Sequence, residues 1–441
     1  MESLKPAEIS FIDSLLESWS SLTHTERKSA FLQLSRTAAE ELFLNLKANG
    51  QAELLEEVPL LEKRSWMRLL APDDAADLIQ ELPLDERENA LGLLDHQTRR
   101  EVAALLHYAE DAAGGLMNSR FARLRPDIDV DEAIKYLRAQ AKSQVETIYY
   151  AYVIDSDQKL LGVVSFRDLF SAASDKKVRD IMQPDIVRIP DDMDQEEVSK
   201  LFSKHDLICI PVVDKDGHIK GIVTSDDILN VVQEEATEDI QKLGGLEALE
   251  DPYLKTSFWR MVQKRAGWLS VLFVGEMFTA SAMGYYEKEL EKAVVLALFI
   301  PMIISSGGNS GSQASSLMIR ALSLGEVRGR DWFRVFRREV ASGVVLGGLL
   351  GLIGFFRVFF WPNREKLYGA HFVHIGYAVA FSLIGVVLWG TIAGSMLPFL
   401  LRRVGFDPAS ASAPLVATLV DVTGLVIYFS VASLLLSGAV M

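Results

Sequence analysis

Cysteine is almost absent. Cys209 is alone among 441 residues, so no intrachain disulfide can form and a disulfide-stapled scaffold is excluded. It lies in the apolar run 207–213 and reads as a buried strand residue. Basic charge is also short. There are 45 Lys+Arg against 60 Asp+Glu, a formal net charge of −15, which excludes a generic nucleic-acid binder. The first ten residues, MESLKPAEIS, lack a basic stretch followed by an apolar run, so no cleavable signal peptide is expected. Neither a GxxxxGK(S/T) phosphate loop nor a DKTG segment occurs, which argues against an ATP-driven pump and against an enzyme. Hydrophobic residues are not short: at 49% they exclude a disordered chain.

The charge is unevenly placed. From Lys255 onward there are 17 Lys+Arg and 10 Asp+Glu, whereas the residues before it hold 28 and 50. An acidic half therefore precedes an apolar one. The second half contains five segments long enough to cross a bilayer, which takes about 20 residues. They are expected near 266–286, 293–318, 340–361, 371–400 and 411–437. Lys255, Arg260, Lys264 and Arg265 precede the first; Arg328, Arg330, Arg334, Arg337 and Arg338 lie between the second and third; Arg402 and Arg403 lie between the fourth and fifth. The opposite side has only Lys288, Lys292, Arg364 and Lys366. The positive-inside rule then predicts a multi-pass protein of the cell (inner) membrane, with a cytoplasmic N-terminus and the C-terminus outside.

Ionisable groups within such spans are costly and therefore informative. Asp421 lies in PLVATLVDVTGLVIY and Glu276 in LFVGEMF. Pro301 is followed by SSGGNSGSQASS, a composition expected to loosen a helix and expose carbonyls. Carbonyls and a carboxylate are hard oxygen ligands, suited to Mg2+ or Ca2+.

The acidic half contains a repeat. YVIDSDQKLLGVVSFRDL from Tyr152 and PVVDKDGHIKGIVTSDDI from Pro211 align at a constant offset of 59. Each reads as strand, Asp-rich turn, strand and helix. The turn acids favour tight loops and need bind no metal. DVDEAIKYLRAQ and DQEEVSKLFSKH, one upstream of each copy, have helical apolar spacing. The pair resembles tandem CBS motifs, an α/β regulatory module. That resemblance implies a possible nucleotide site, with Ser165 and Thr224 toward phosphate and Asp168 and Asp227 toward ribose, and hence ATP or another adenine nucleotide as ligand. Residues 1–120 read as an acidic helical domain, with amphipathic segments such as LAPDDAADLIQELP.

Over nearly its whole length the chain resembles the MgtE family of magnesium channels. The matching stretches are EDAAGGLM (110–117), ETIYYAYVID (146–155), EEATEDIQKLG (234–244), PMIISSGGNSGSQ (301–313) and GFDPASASAPLVATLVDVTG (405–424). The resemblance implies a homodimer in a lipid bilayer. Each subunit would have an all-α N-terminal domain (1–120), CBS motifs at 121–178 and 179–234, a connecting plug helix (235–265) and a five-helix transmembrane domain (266–441). It also implies a Mg2+-selective channel for passive uptake, closed by cytosolic Mg2+. Asp421 and the backbone oxygen of Ala417 would hold the ion in the pore. Asn309, Pro301 and Gly308 would line it, and Asp407 would lie just outside. Glu40, Asp73, Asp77, Gly115, Asp194, Glu196, Asp206, Asp227, Glu235, Glu238 and Asp239 would form the cytosolic Mg2+ sensor. The chain departs from the family pattern at Ser312 and Ala413, where Asn is common, at Asn230, where an acid is expected, and at Glu276, which the pattern lacks. Glu276 keeps a second reading open, a secondary transporter exchanging Mg2+ or another divalent cation for Na+ or H+. A nucleotide sensor merely anchored in the membrane is the remaining alternative, and the intramembrane Asp421 argues against it.

Overall fold

The structure, a computed structural model, describes residues 6–141, 149–249, 253, 256–287, 294–369 and 371–436. Glu146, Thr147, Lys255, Lys288, Lys292 and the predicted end of the fifth span lie outside them. The chain forms two compact units, Met1–Glu235 and Ala236–Met441, and the boundary falls within the helix Ser225–Leu243.

The first unit begins with short helices, from Pro6–Ser18 to His96–Leu105. Their starts are written in the sequence. Thr23 and Glu26 form a reciprocal capping box, Ser35 and Asp95 accept from first-turn amides, and Pro72 opens the helix Pro72–Glu81. The apolar faces meet in a core that includes Leu42, Phe43, Met67, Leu78 and Ile79. Phe43 and Trp66 pack edge to face at 5.2 Å.

The repeat gives two three-stranded sheets, β1-β2-β3 and β4-β5-β6. Their strands are β1 Arg123–Leu124, β2 Tyr150–Ile154, β3 Leu160–Ser165, β4 Ile189–Pro190, β5 Cys209–Val213 and β6 Ile219–Thr224. Each sheet joins a parallel pair to an antiparallel hairpin. Tyr150 pairs with Ser165 as Cys209 pairs with Thr224, and the register shifts at Val153/Ile154 and again at Val212/Val213. The offset of 59 residues thus survives down to the bulge. The hairpins also touch: the Leu160 amide donates to Gly217 O at 3.1 Å and the Ile219 amide to Gln158 O at 3.2 Å. Cys209 is buried, with its thiol 3.2 Å from the Tyr152 hydroxyl.

The second unit holds five helices long and apolar enough to cross a membrane: Phe258–Tyr285, Val294–Ser323, Gly329–Phe359, Phe372–Val404 and Ala413–Leu436. The first and third begin well before the expected 266 and 340. Charged residues end an apolar stretch without ending a helix, and both helices continue through their arginines.

The glycines of the second span do not loosen it. Ile300–Ser323 is one unbroken α-helix with Pro301 in its first turn, where no amide partner is lost. The glycines are instead contact points. A Cβ on Gly390 would lie 2.4 Å from Gly307 O, and one on Gly394 would lie 2.0 Å from Gly311 O. Two small-xxx-small pairs therefore cross backbone to backbone between the second and fourth spans. Gly343, Gly347 and Gly351 of the third span likewise admit the fourth, each with a fourth-span atom within 3.0 Å of its virtual Cβ. In lipid no hydrophobic gain separates one apolar contact from another, so close van der Waals packing of small residues drives association.

Candidate cation pathway and acidic groups

Gly308 of the second span lies against the fifth. A Cβ there would be 3.6 Å from both the Ala417 Cβ and Asp421 Oδ1. Three sequence-selected residues thus meet at one level of the bundle. Asp421 is half-buried, and its carboxylate accepts no hydrogen bond among the described residues. Thr423, an obvious local partner, is occupied: its hydroxyl donates to Leu419 O at 2.7 Å and accepts from Trp389 Nε1 at 2.7 Å. The first span touches the fifth here, since a Cβ on Gly275 would meet Thr418 Cγ2 at 2.8 Å. The next residue, Glu276, is close enough to act electrostatically on Asp421. Asn309 is exposed, with its amide 3.4 Å from Ser305 Oγ, and Pro301 is exposed. Two of the departures from the family pattern meet: Ser312 Oγ donates to the Ala413 carbonyl at 3.2 Å, a bond indifferent to the side chain at 413.

Asp407 lies in the turn before the fifth span. Its Oδ1 accepts from the Ala409 amide at 2.8 Å and its Oδ2 accepts from Lys242 Nζ at 2.6 Å. Lys242 also pairs with Glu238, one turn back on Ser225–Leu243. Burial depresses the Lys242 pKa, but the bonds to Asp407 and Glu238 outweigh it and hold the ammonium above its ordinary range. Asp239 accepts from Ser323 Oγ at 3.0 Å. The end of the connecting helix is therefore tied to the loop before the fifth span and to the end of the second.

In the first unit a larger acidic group converges. Asp74 and Asp77 come from Pro72–Glu81, Glu110 from the turn after His96–Leu105, and Asp226, Asp227 and Glu234 from Ser225–Leu243. Burial, then the charges of Asp74, Glu110, Asp227 and Glu234, push the Asp77 carboxyl up to about 8. Burial raises Asp74 as well, and Asp226 adds to it. At neutral pH Asp77 therefore keeps a proton that an approaching divalent cation would displace. Sequence reading selected Asp77 and Asp227 and missed Asp74, Glu110, Asp226 and Glu234. The i,i+3 spacing of Asp74 and Asp77 was the available signal.

Other selected residues have local duties. Asp73 is buried and accepts from Asn118 Nδ2 at 3.0 Å. Glu40 pairs with Arg36 at 2.6 Å and Glu196 with Lys200 at 2.7 Å. Asp194 caps Gln195–His205 through the Glu196 amide at 2.8 Å, and Asp206 ends that helix at φ 50°. Gly115 packs where a Cβ would lie 2.5 Å from Ala109 O. Glu235 accepts from Gln195 Nε2 at 2.6 Å.

The motif pairs of the repeat are matched: Ser165 Oγ donates to Asp168 Oδ2 and Thr224 Oγ1 to Asp227 Oδ2, both at 2.6 Å. Asp214, Asp216 and His218 come within 4.8 Å of one another. This is turn chemistry. Asp214 Oδ1 accepts the Asp216 and His218 amides at 3.0 and 2.9 Å, as Asp155 Oδ1 accepts those of Asp157 and Lys159, both at 2.9 Å. A lysine stands at the histidine's place in the first copy.

Five apolar spans, one carrying a half-buried carboxylate, preceded by an acidic helical domain and a CBS pair, define a multi-pass cation transport protein. The family profile described as divalent cation transporter, MgtE, matches residues 300–431; the MgtE intracellular N domain matches 11–111, and the CBS domain matches 113–175 and 178–234. The chain is 40% identical over 427 residues to the magnesium transporter MgtE of Thermus thermophilus, covering 96% of this chain and 93% of that one. It is 30% identical to the magnesium transporter MgtE of Bacillus subtilis, covering 98% and 92%. The cytosolic domain of the Mg2+ channel MgtE, solved in complex with ATP, is similar over 51% of this chain and 93% of its own, at 37% identity and a TM-score of 0.47. The chain belongs to the MgtE family of magnesium transporters, which is not an enzyme family.

Proposed function

We propose that the chain is a Mg2+-selective channel for passive uptake, closed when cytosolic Mg2+ binds the acids of the N-terminal domain, the CBS pair and the connecting helix. The observation that carries this reading is Asp421: an intramembrane carboxylate without a hydrogen-bond partner among the described residues, beside Ala417 and opposite the bare backbone of Gly308. Mg2+ dehydrates reluctantly and prefers an octahedron of oxygens. Gly308 lets the second span lie close to the fifth at this level, while Asp421 and the Ala417 carbonyl would supply charge and an acceptor. In a homodimer two Asp421 residues would form a ring that selects divalent cations. A dimer also gives the first span a partner, since none of its residues is buried within the single chain. The acidic excess of the first half and the arginines between spans favour a cytoplasmic N-terminus and an external C-terminus.

The sensor follows from repulsion. The acids around Asp77 oppose one another, and Asp77 relieves the strain by holding a proton. A hard divalent cation fits these oxygens better than a proton does and would draw together the helices that carry them. Glu40, Asp73, Gly115, Asp194, Glu196, Asp206, Glu235 and Asp239 are the outer members of this proposed set. Glu238 and Asp407 form its membrane end, where the Lys242 ammonium already offsets one of their two charges. Closure requires that Mg2+ bind the closed state more tightly than the open one. The matched Ser165–Asp168 and Thr224–Asp227 pairs favour an adenine nucleotide as an additional ligand.

Glu276 favours one second reading, exchange of Mg2+ for Na+ or H+, because it places another carboxylate near Asp421. Mg2+ flux into proteoliposomes at clamped voltage separates the two. A channel is indifferent to an imposed pH or Na+ gradient; flux driven by either gradient identifies an exchanger.

A further inference from the structure

The third span begins with a basic face that the transport reading does not use. Arg330, Arg334, Arg337 and Arg338 follow at intervals of four, three and one residues, so they share one side of Gly329–Phe359. With Asp331 and Phe333 they line an open groove of about 580 Å³. Asp331 pairs with Arg334 at 3.3 Å, and Arg338 interacts electrostatically with the neighbouring Glu339. Arg330, Arg337 and Arg338 have no carboxylate within ion-pair distance among the described residues. Trp332 and Phe333 are 51% and 55% exposed at the same level, where the charged turn gives way to the apolar span.

Four guanidinium groups against one carboxylate leave the groove strongly positive. Arginine matches the oxygens of a phosphate with a planar fork of N–H donors. Exposed aromatic rings beside it suit the headgroup level of a bilayer. The positive-inside rule accounts for arginines on this side of the membrane, but not for their gathering around one groove.

We propose that this groove binds the phosphate of an anionic phospholipid headgroup. The aromatic rim and the apolar span commit it to a lipid rather than to free phosphate, because the acyl chains would lie along the span. Basic pockets at the membrane face of transmembrane helices bind anionic headgroups in this way.

Native mass spectrometry of the full-length protein in detergent, equilibrated with equal phosphatidylglycerol and phosphatidylcholine, tests the proposal. Wild type should retain phosphatidylglycerol preferentially, and the triple variant R334Q/R337Q/R338Q should lose that preference by on the order of tenfold or more. The triple lysine variant, which keeps the charge but not the fork, should fall between them. Equal retention of the two lipids by wild type needs no variant to overturn the proposal, and an unchanged preference in the glutamine variant overturns it equally. Millimolar inorganic phosphate should leave the melting temperature unmoved while phosphatidylglycerol raises it. Stabilisation by phosphate alone that equals that of the lipid would reassign the groove to a free anion and reject the lipid.

Discussion

Carboxylates are treated oppositely in the two units. In the first they crowd: Asp77 feels Asp74, Glu110, Asp227 and Glu234, and its burial makes the repulsion count. In the second they are sparse, and Asp421 stands among apolar residues with Glu276 as its electrostatic neighbour. On the proposed reading, crowding would make the state of the group depend on a cation's concentration, and isolation would let a passing cation meet the carboxylate one at a time. Packing differs in the same sense. The first unit is held by an apolar core that includes Phe43, Met67 and Leu78, whereas the spans add, to a core that includes Ile303, Val386 and Tyr428, crossings at which glycine backbones touch. Water supplies the driving force for the first kind of contact. In lipid that force is absent, and shape alone is left.

The contrast can be broken in several places. Asp421→Asn should lower Mg2+ flux in proteoliposomes by on the order of tenfold or more while the protein still melts cooperatively, because only the isolated charge is removed. Gly394→Ala places a Cβ 2.0 Å from Gly311 O and forces the second and fourth spans apart. Its cost should be about 3 kcal/mol, read as a lowered melting temperature in detergent. Asp77→Asn tests the crowded unit through pH. The folded pKa of Asp77, about 8, is raised above the value of an unfolded aspartate. Between those two values the folded state holds the extra proton, so stability without Mg2+ should fall as pH rises toward about 8. The asparagine variant should flatten that slope in EDTA. Wild type should release protons when Mg2+ is added at neutral pH, and the variant should release fewer. Lys242→Met leaves Glu238 and Asp407 facing each other without a cation. Because Lys242 is 27% exposed, the loss should be on the order of 1 kcal/mol, measured by thermal unfolding without Mg2+. Glu40→Gln removes an i,i+4 pair with Arg36 and should cost only about 0.3–0.5 kcal/mol by the same measurement.

Periodic and local features were legible in the sequence. The five spans stand out because a bilayer demands long apolar runs, and the CBS pair stands out because two copies share one offset, which the structure extends to their bulges. Asp421 was legible because a charge is rare in such a run. Convergence was not legible. Glu110 and Asp226 reach the Asp77 region from separate segments, and Lys242 meets Asp407 from 165 residues away. No spacing rule joins such partners. The glycines after Pro301 were misread for the same reason. Composition gives the weakness of Gly307 and Gly311 in a helix, but their partners, Gly390 and Gly394, lie on the fourth span. Their matching four-residue spacing was the one clue.

The most direct measurement is Mg2+ flux through wild-type protein in proteoliposomes as Mg2+ on the cytoplasmic face is raised through the millimolar range at fixed driving force. If the crowded acids govern the isolated one, flux should fall steeply with cytoplasmic Mg2+, and Asp77→Asn should shift that fall to higher concentration. Flux that stays constant as cytoplasmic Mg2+ rises would contradict closure by these acids and leave Asp421 in an ungated pathway.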